Sequence, residues 1–222
     1  MAKQQTIAEE AEKGIAGRIL ETASRFFFTQ GVDRTTMDDI SGDLGMSKKT
    51  LYQHFPGKEA IIGAIIDGVA ARMQQRISEI LDDRSLDCAG RLCLVIESVG
   101  TNMAKLTPTK LRDLQRNAPG AYAKIDEIRR RNIPMFFGRI IRDGIADGSI
   151  RCDIDPAFAT EFWLQAMRGM LVPETMERTE LTPQQTLEKA VDLFFRGLLT
   201  PLGREQFTEH KRRCAQRRAH IR

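Results

Sequence analysis

Apolar residues recur at intervals of three and four along nearly the whole chain, and nowhere with the two-residue alternation of a half-buried strand. The first stripe, between Glu10 and Gln30, is Ile15, Ile19, Leu20, Ala23, Phe26 and Phe27, closed by Gly31. A longer one over residues 57–81 carries Ile61, Ile65, Val69, Met73, Ile77 and Leu81 and predicts a connecting helix. Further helices are expected over 85–106, 108–117 and 121–146, the last kinked at Pro134, where one internal hydrogen bond is lost. Asp155-Pro156 opens a helix that Pro173 ends, and Thr182-Pro183 opens a final one that Pro201 ends. The pattern predicts an all-α fold. Residues 1–10 are polar and expected to fray.

Between the first two stripes lies a denser signal. Thr36 with Asp39 three residues on is a helix N-cap pair, so a short helix should start at Met37, with Ile40 and Leu44 on its inner face and Gly45 after its end. Ser47 caps a second short helix, whose Leu51 and Phe55 face inward and which Pro56 stops. Two capped helices around a glycine turn read as a helix-turn-helix. The Phe26–Phe27 pair should pack on Ile40, Leu44 and Leu51. The outer face of the second helix is polar, centred on Gln53 and Lys49 with Thr50 beside them and Tyr52, His54 and Lys48 on the flanks. Gln, Lys and Thr suit base edges in a major groove, whereas the flanking groups and Lys58 suit phosphates. Taken singly, Lys48 and Lys49 also fit a plain solvated face.

The runs Thr35-Thr36-Met37-Asp38-Asp39-Ile40, Leu44 to Phe55 and Lys58-Glu59 resemble the DNA-binding domain of the tetracycline-repressor (TetR) family, over about residues 12–80. By that resemblance Thr36, Ser47, Thr50, Tyr52, His54 and Lys58 correspond to backbone-contacting positions, and Lys48, Lys49 and Gln53 to variable base-facing ones. One departure is Lys49, where many members carry a small residue. The resemblance also implies a dimer interface and an inducer site in the C-terminal region.

Charge adds little to this. The formal net charge is +4 over 222 residues, yet residues 1–58 hold eight Lys or Arg against eight Asp or Glu, so any basic character of the reading face is local. The excess lies after residue 203, in a tail with Arg204, Lys211, Arg212, Arg213, Arg217, Arg218 and Arg222, which reads as a mobile, solvated end or as an aid to nonspecific DNA binding. No apolar run approaches the roughly 20 residues of a bilayer span, and the polar N-terminus is no signal peptide, so no membrane association and a cytoplasmic location are expected. Cys88, Cys93, Cys152 and Cys214 lack metal-type spacing and read as packing residues; if a thiol sensor exists, Cys88 and Cys93 are its expected members.

The expected organisation is a DNA-binding domain over 10–58 with its connecting helix 57–81, a helical effector-binding and dimerisation domain over 82–203, and the basic tail 204–222. Met103, Leu114, Phe136, Phe137, Trp163 and Met167 lie on inward stripes and are candidates for an apolar effector pocket or for ordinary core. The two wide stripes after Asp155 suit a homodimer built as a four-helix interface, which matches a palindromic DNA site. No catalytic pattern, metal site or cofactor motif is apparent, and the three histidines, His54, His210 and His220, cannot supply a di-metal helical centre. The chain reads as a dimeric repressor of a palindromic operator, released by an unidentified small molecule. An effector-independent architectural protein and a helical enzyme with an accessory DNA-binding domain are the alternatives.

Overall fold

The computed structural model describes the backbone of residues 2–220 and the side chains of residues 14–214 and 216. Eleven α-helices run through this range, in the order α1 (Ala2–Thr29), α2 (Met37–Asp43), α3 (Lys48–His54), α4 (Lys58–Asp82), α5 (Cys88–Met103), α6 (Pro108–Asn117), α7 (Pro119–Ala146), α8 (Pro156–Met170), α9 (Pro173–Thr179), α10 (Pro183–Leu198) and α11 (Pro201–His220). The fold is all-α. The only β-type pairing among the described residues is an isolated antiparallel bridge between Ile150 and Leu199.

The chain divides into two compact units, one of Met1–Val69 with Arg112–Ile125, the other of Ala70–Leu111 with Asp126–Arg222. In the first unit Ile19, Ala23, Met37, Ile40, Leu51 and Ile61 form a buried cluster, with Phe26, Phe27, Leu44 and Phe55 packed against it. The predicted seating of the two phenylalanines on α2 and α3 is therefore observed. Burying one such aliphatic side chain is worth about 1.5–3 kcal/mol, so a unit this small depends on each of them. A second cluster, Val32, Ile62, Ala118 and Ala121, brings the end of α6 and the start of α7 into the same unit.

The second unit has a larger core that includes Leu81, Leu92, Phe137, Ile141, Trp163, Met167 and Phe195. Asp155 caps α8 and Thr182 with Gln185 forms a capping box on α10, as the Asp-Pro and Thr-Pro pairs suggested. At the corner before α11, Thr200 donates its N–H to the Ser149 carbonyl, and a Cβ on Gly203 would collide with that same carbonyl, so only glycine fits there.

Four elements differ from the sequence reading. Helix α1 begins at Ala2, so residues 2–10 extend the helix. Pro119-Gly120 form the first turn of α7 and do not precede it, because proline at a helix start has no amide to leave unpaired; α7 then continues through Pro134. Pro173 ends one helix and starts α9 by the same logic. The basic segment after residue 203 is helix α11, whose Phe207 is buried in the core and whose Cys214 packs against it. Its charge density hid that anchor. The side chains of Arg217, Arg218 and Arg222 lie outside the described residues.

Candidate nucleic-acid interface

The local geometry of α2 and α3 follows from their caps. The Thr36 hydroxyl oxygen accepts the Asp39 N–H at 3.1 Å, while the Asp39 carboxylate accepts the Thr36 N–H at 2.8 Å and its hydroxyl at 2.7 Å. These bonds, the Thr36 hydroxyl first, hold the Asp39 carboxyl below its ordinary range. Gly45, at φ +63, makes the left-handed turn, and Ser47 then caps α3 by accepting the Thr50 N–H at 3.1 Å. Phe55 leaves the helix in extended geometry just before Pro56. With Leu51 fully buried beneath it, α3 is locked about its own axis, and that fixes which side chains face outward.

Lys48, Lys49, Tyr52 and Gln53 are exposed, Thr50 and His54 are half-buried, and all six ride on one short helix. Tyr52 shows 49 % of its surface. The side chains of Thr36 and Ser47 already serve as caps, so phosphate contact at these exposed positions would share the same oxygens. Lys48 pairs with Asp38 of α2 at 2.6 Å, a bond that raises its basicity and parks the ammonium over the helix-turn-helix until a stronger anion competes for it. Lys58 is engaged internally. Its ammonium donates to the Val32 carbonyl at 2.6 Å and to the Thr35 carbonyl at 3.1 Å, which leaves one of three donor directions for a phosphate.

Such a face can do two things at once. Its lysines and tyrosine can meet phosphates on either side of a groove while Gln53 and Lys49 reach base edges. Residues 19–65, spanning the C-terminal part of α1, all of α2 and α3 and the start of α4, match the family of bacterial regulatory proteins described as the tetR family. The chain carries a TetR-family helix-turn-helix DNA-binding domain. It is accordingly a DNA-binding transcription regulator.

Its relatives include the HTH-type transcriptional regulator YvaF of Bacillus subtilis, 24 % identical over 82 % of this chain and 94 % of that one. The HTH-type transcriptional repressor DhaR of a Mycobacterium species is 23 % identical over 85 % of this chain and 94 % of its own. Among solved structures, SmeT in complex with triclosan shares the fold at a TM-score of 0.60, with 20 % identity over 84 % of this chain and 92 % of that chain.

The six pocket candidates are not brought together. Phe136, Phe137, Trp163 and Met167 are buried in the core of the second unit, and Met103 packs against it. The Phe137 and Trp163 rings stack at 5.3 Å and 9°, and Phe194 and Phe195 close on both. Leu114, by contrast, packs with Val32 and Ile62 in the first unit, because α6 ends there. On α7, Arg130 pairs with Asp126 and Arg129 donates to the Leu171 carbonyl. Cys88 and Cys93 are both buried, and burial pushes their thiols up to about 11 and about 12, which argues against either as a reactive thiol. No helix among the described residues is long and apolar enough to cross a membrane.

Sequence reasoning missed the groups that hold this reading unit from behind. Asp113 of α6 accepts the Val32 N–H, and Glu59 of α4 accepts the Gly120 N–H at 2.6 Å and that of Ala121 at 3.2 Å. Lys124 pairs with Asp67. None carried a local signal, since the partners lie 57 to 81 residues apart in the chain.

Proposed function

We propose that the chain is a dimeric repressor that binds a palindromic operator in the cytoplasm and is released by a small-molecule effector. The observation that carries this reading is the outer face of α3, where Lys48, Lys49, Tyr52 and Gln53 stand exposed over a fully buried Leu51. Gln53 and Lys49 select bases; Thr36, Ser47, Thr50, Tyr52, His54 and Lys58 hold the phosphate backbone, Lys58 with its one remaining donor. Residues 10–58 act as the DNA-binding domain with 57–81 as its connecting helix, and residues 82–203 bind the effector and dimerise.

Dimerisation is supported by the aromatic edge of the second unit. Phe158 and Phe162 on α8 and Leu193 on α10 are 70 %, 54 % and 82 % exposed, and Phe162 stacks on Phe194 at 5.6 Å. Large apolar side chains grouped on two neighbouring helices are costly to leave in water, and a two-fold axis through them builds a four-helix interface. Effector control is supported by the likeness to SmeT, which is seen with triclosan, and repression by the likeness to DhaR. The aromatic cluster around Phe137 and Trp163 favours an apolar effector that inserts among rings already present.

The test compares sequences enriched from random duplex DNA by the wild type and by Gln53→Ala and Tyr52→Phe variants. Gln53→Ala should relax the preference at one position in each half-site, by about 1–3 kcal/mol of discrimination, and Tyr52→Phe should weaken binding without changing the preferred sequence. Unchanged profiles for Gln53→Ala would contradict the assignment of that face.

A further inference from the structure

The corner between α1 and α2 is held by side chains from two distant helices. Gly31 turns at φ +93, and a Cβ there would lie 2.8 Å from the Asp113 carboxylate, so this glycine makes room for that group. Asp113 Oδ2 accepts the Val32 N–H at 2.6 Å, and its Oδ1 accepts the Asp33 N–H at 3.2 Å and the Asn117 side-chain N–H at 2.8 Å. From α4, Lys58 Nζ donates to the Val32 carbonyl at 2.6 Å. Val32 is thus gripped at its N–H by one charged group and at its C=O by the opposite one, while its side chain is buried with Ile62, Ala118 and Ala121. Thr35 closes the corner by donating its hydroxyl to the Gly31 carbonyl at 2.7 Å, and the next residue, Thr36, is the cap of α2.

We propose that Asp113 is a positioning residue for DNA reading, acting with Lys58 to fix the Val32 peptide and so the direction in which α2 and α3 leave α1. This rests on the reading of the α3 face given above. Charge-assisted bonds to backbone amides are stronger than neutral ones, and two of them converge on one carboxylate, so the corner has a single preferred geometry. Because the corner that begins at Val32 ends at Thr36, a rotation at Val32 is carried into the capping box and on to Gln53 and Lys49. A carboxylate suits this place for a chemical reason: both corner amides and the Asn117 amide are donors, and only an acceptor-only group satisfies all three. An asparagine would point an NH2 at one of them.

The experiment uses the full chain, first as wild type. Its binding to the duplex it selects from random DNA is measured, together with hydrogen exchange at the Val32 and Asp33 amides. Both amides should exchange slowly although they belong to no helix. Asp113→Asn should then exchange at both sites at least tenfold faster and bind the selected duplex roughly tenfold more weakly, at a temperature where circular dichroism shows the variant fully folded. A role confined to stability would lower the melting temperature and leave the affinity of the folded protein unchanged. Fast exchange at Val32 in the wild type overturns the clamp without recourse to any variant. Unchanged exchange or unchanged affinity in Asp113→Asn overturns it as well. A wild type that enriches no sequence removes the DNA-reading premise itself, and that outcome is visible before any substitution is made.

Discussion

Replacing Leu193 by Arg separates the proposed interface from the fold of the protomer. Leu193 is 82 % exposed on α10, so within one chain it has little packing to lose, and the substitution should change the stability of the folded protomer by no more than about 0.5 kcal/mol. At a two-fold interface the same residue is buried twice. Full burial of a leucine is worth about 1.5–3 kcal/mol, and with most of its surface still uncovered the two copies together contribute about 3–4 kcal/mol to association. Arginine forfeits that and brings two like charges towards an apolar surface. The dimer dissociation constant should therefore rise by at least about a hundredfold. Sedimentation velocity over a dilution series reads the constant, and circular dichroism melting reads the protomer. A folded variant that dimerises with the wild-type constant would refute the placement of the interface on α8 and α10, and a variant that fails to fold would refute the premise that Leu193 is idle within the protomer.

Three further outcomes are expected. Leu51→Ala empties a fully buried site in the small core of the first unit and should cost about 2–5 kcal/mol, seen as loss of DNA binding and faster hydrogen exchange in α2 and α3 while α5, α8 and α10 stay protected. A thiol reagent at pH 8 should modify exposed Cys152 promptly and leave Cys88 and Cys93 intact, since burial holds both thiols protonated; peptide mapping after brief labelling shows whether this holds. The Asp126 carboxyl is held below its ordinary 3.8 chiefly by Arg168, then by Arg130, so its contribution is present above that value and disappears as pH falls through the lowered one. Asp126→Asn should lower stability at pH 7 by about 1 kcal/mol and flatten its decline below about pH 4, which urea titrations at pH 7 and pH 3 would measure.

The parts of the fold that were legible in the sequence are those whose signals are local. Thr36 and Asp39 sit three residues apart and close a capping box, Gly45 takes the left-handed turn, and Pro56 stops α3; each signal acts within a few residues of its effect. The same holds for α8 and α10, each opened by a capping residue before proline. Prolines that start a helix were harder to read than prolines that end one. Pro119 and Pro173 do the former, and Pro173 ends one helix while opening α9. In α11 the buried Phe207 anchors a segment whose composition otherwise suits water. The groups that clamp the reading unit were hidden for a different reason. Asp113 meets Val32 across 81 residues, and no periodicity carries information over that distance. Lys58 was recognised as a chemistry-bearing residue, but its bonds to Val32 and Thr35 are visible only in three dimensions. Leu114 kept its inward stripe and changed its core, because α6 ends in the first unit.

The most direct test of the central claim is selection of binding sites from random duplex DNA by the purified wild-type chain at moderate salt. A dimer that reads DNA with α3 enriches an inverted repeat whose half-sites lie about one helical turn apart or a multiple of it. Enrichment of an unpaired half-site, or of no sequence above background, would contradict a dimeric, sequence-reading repressor.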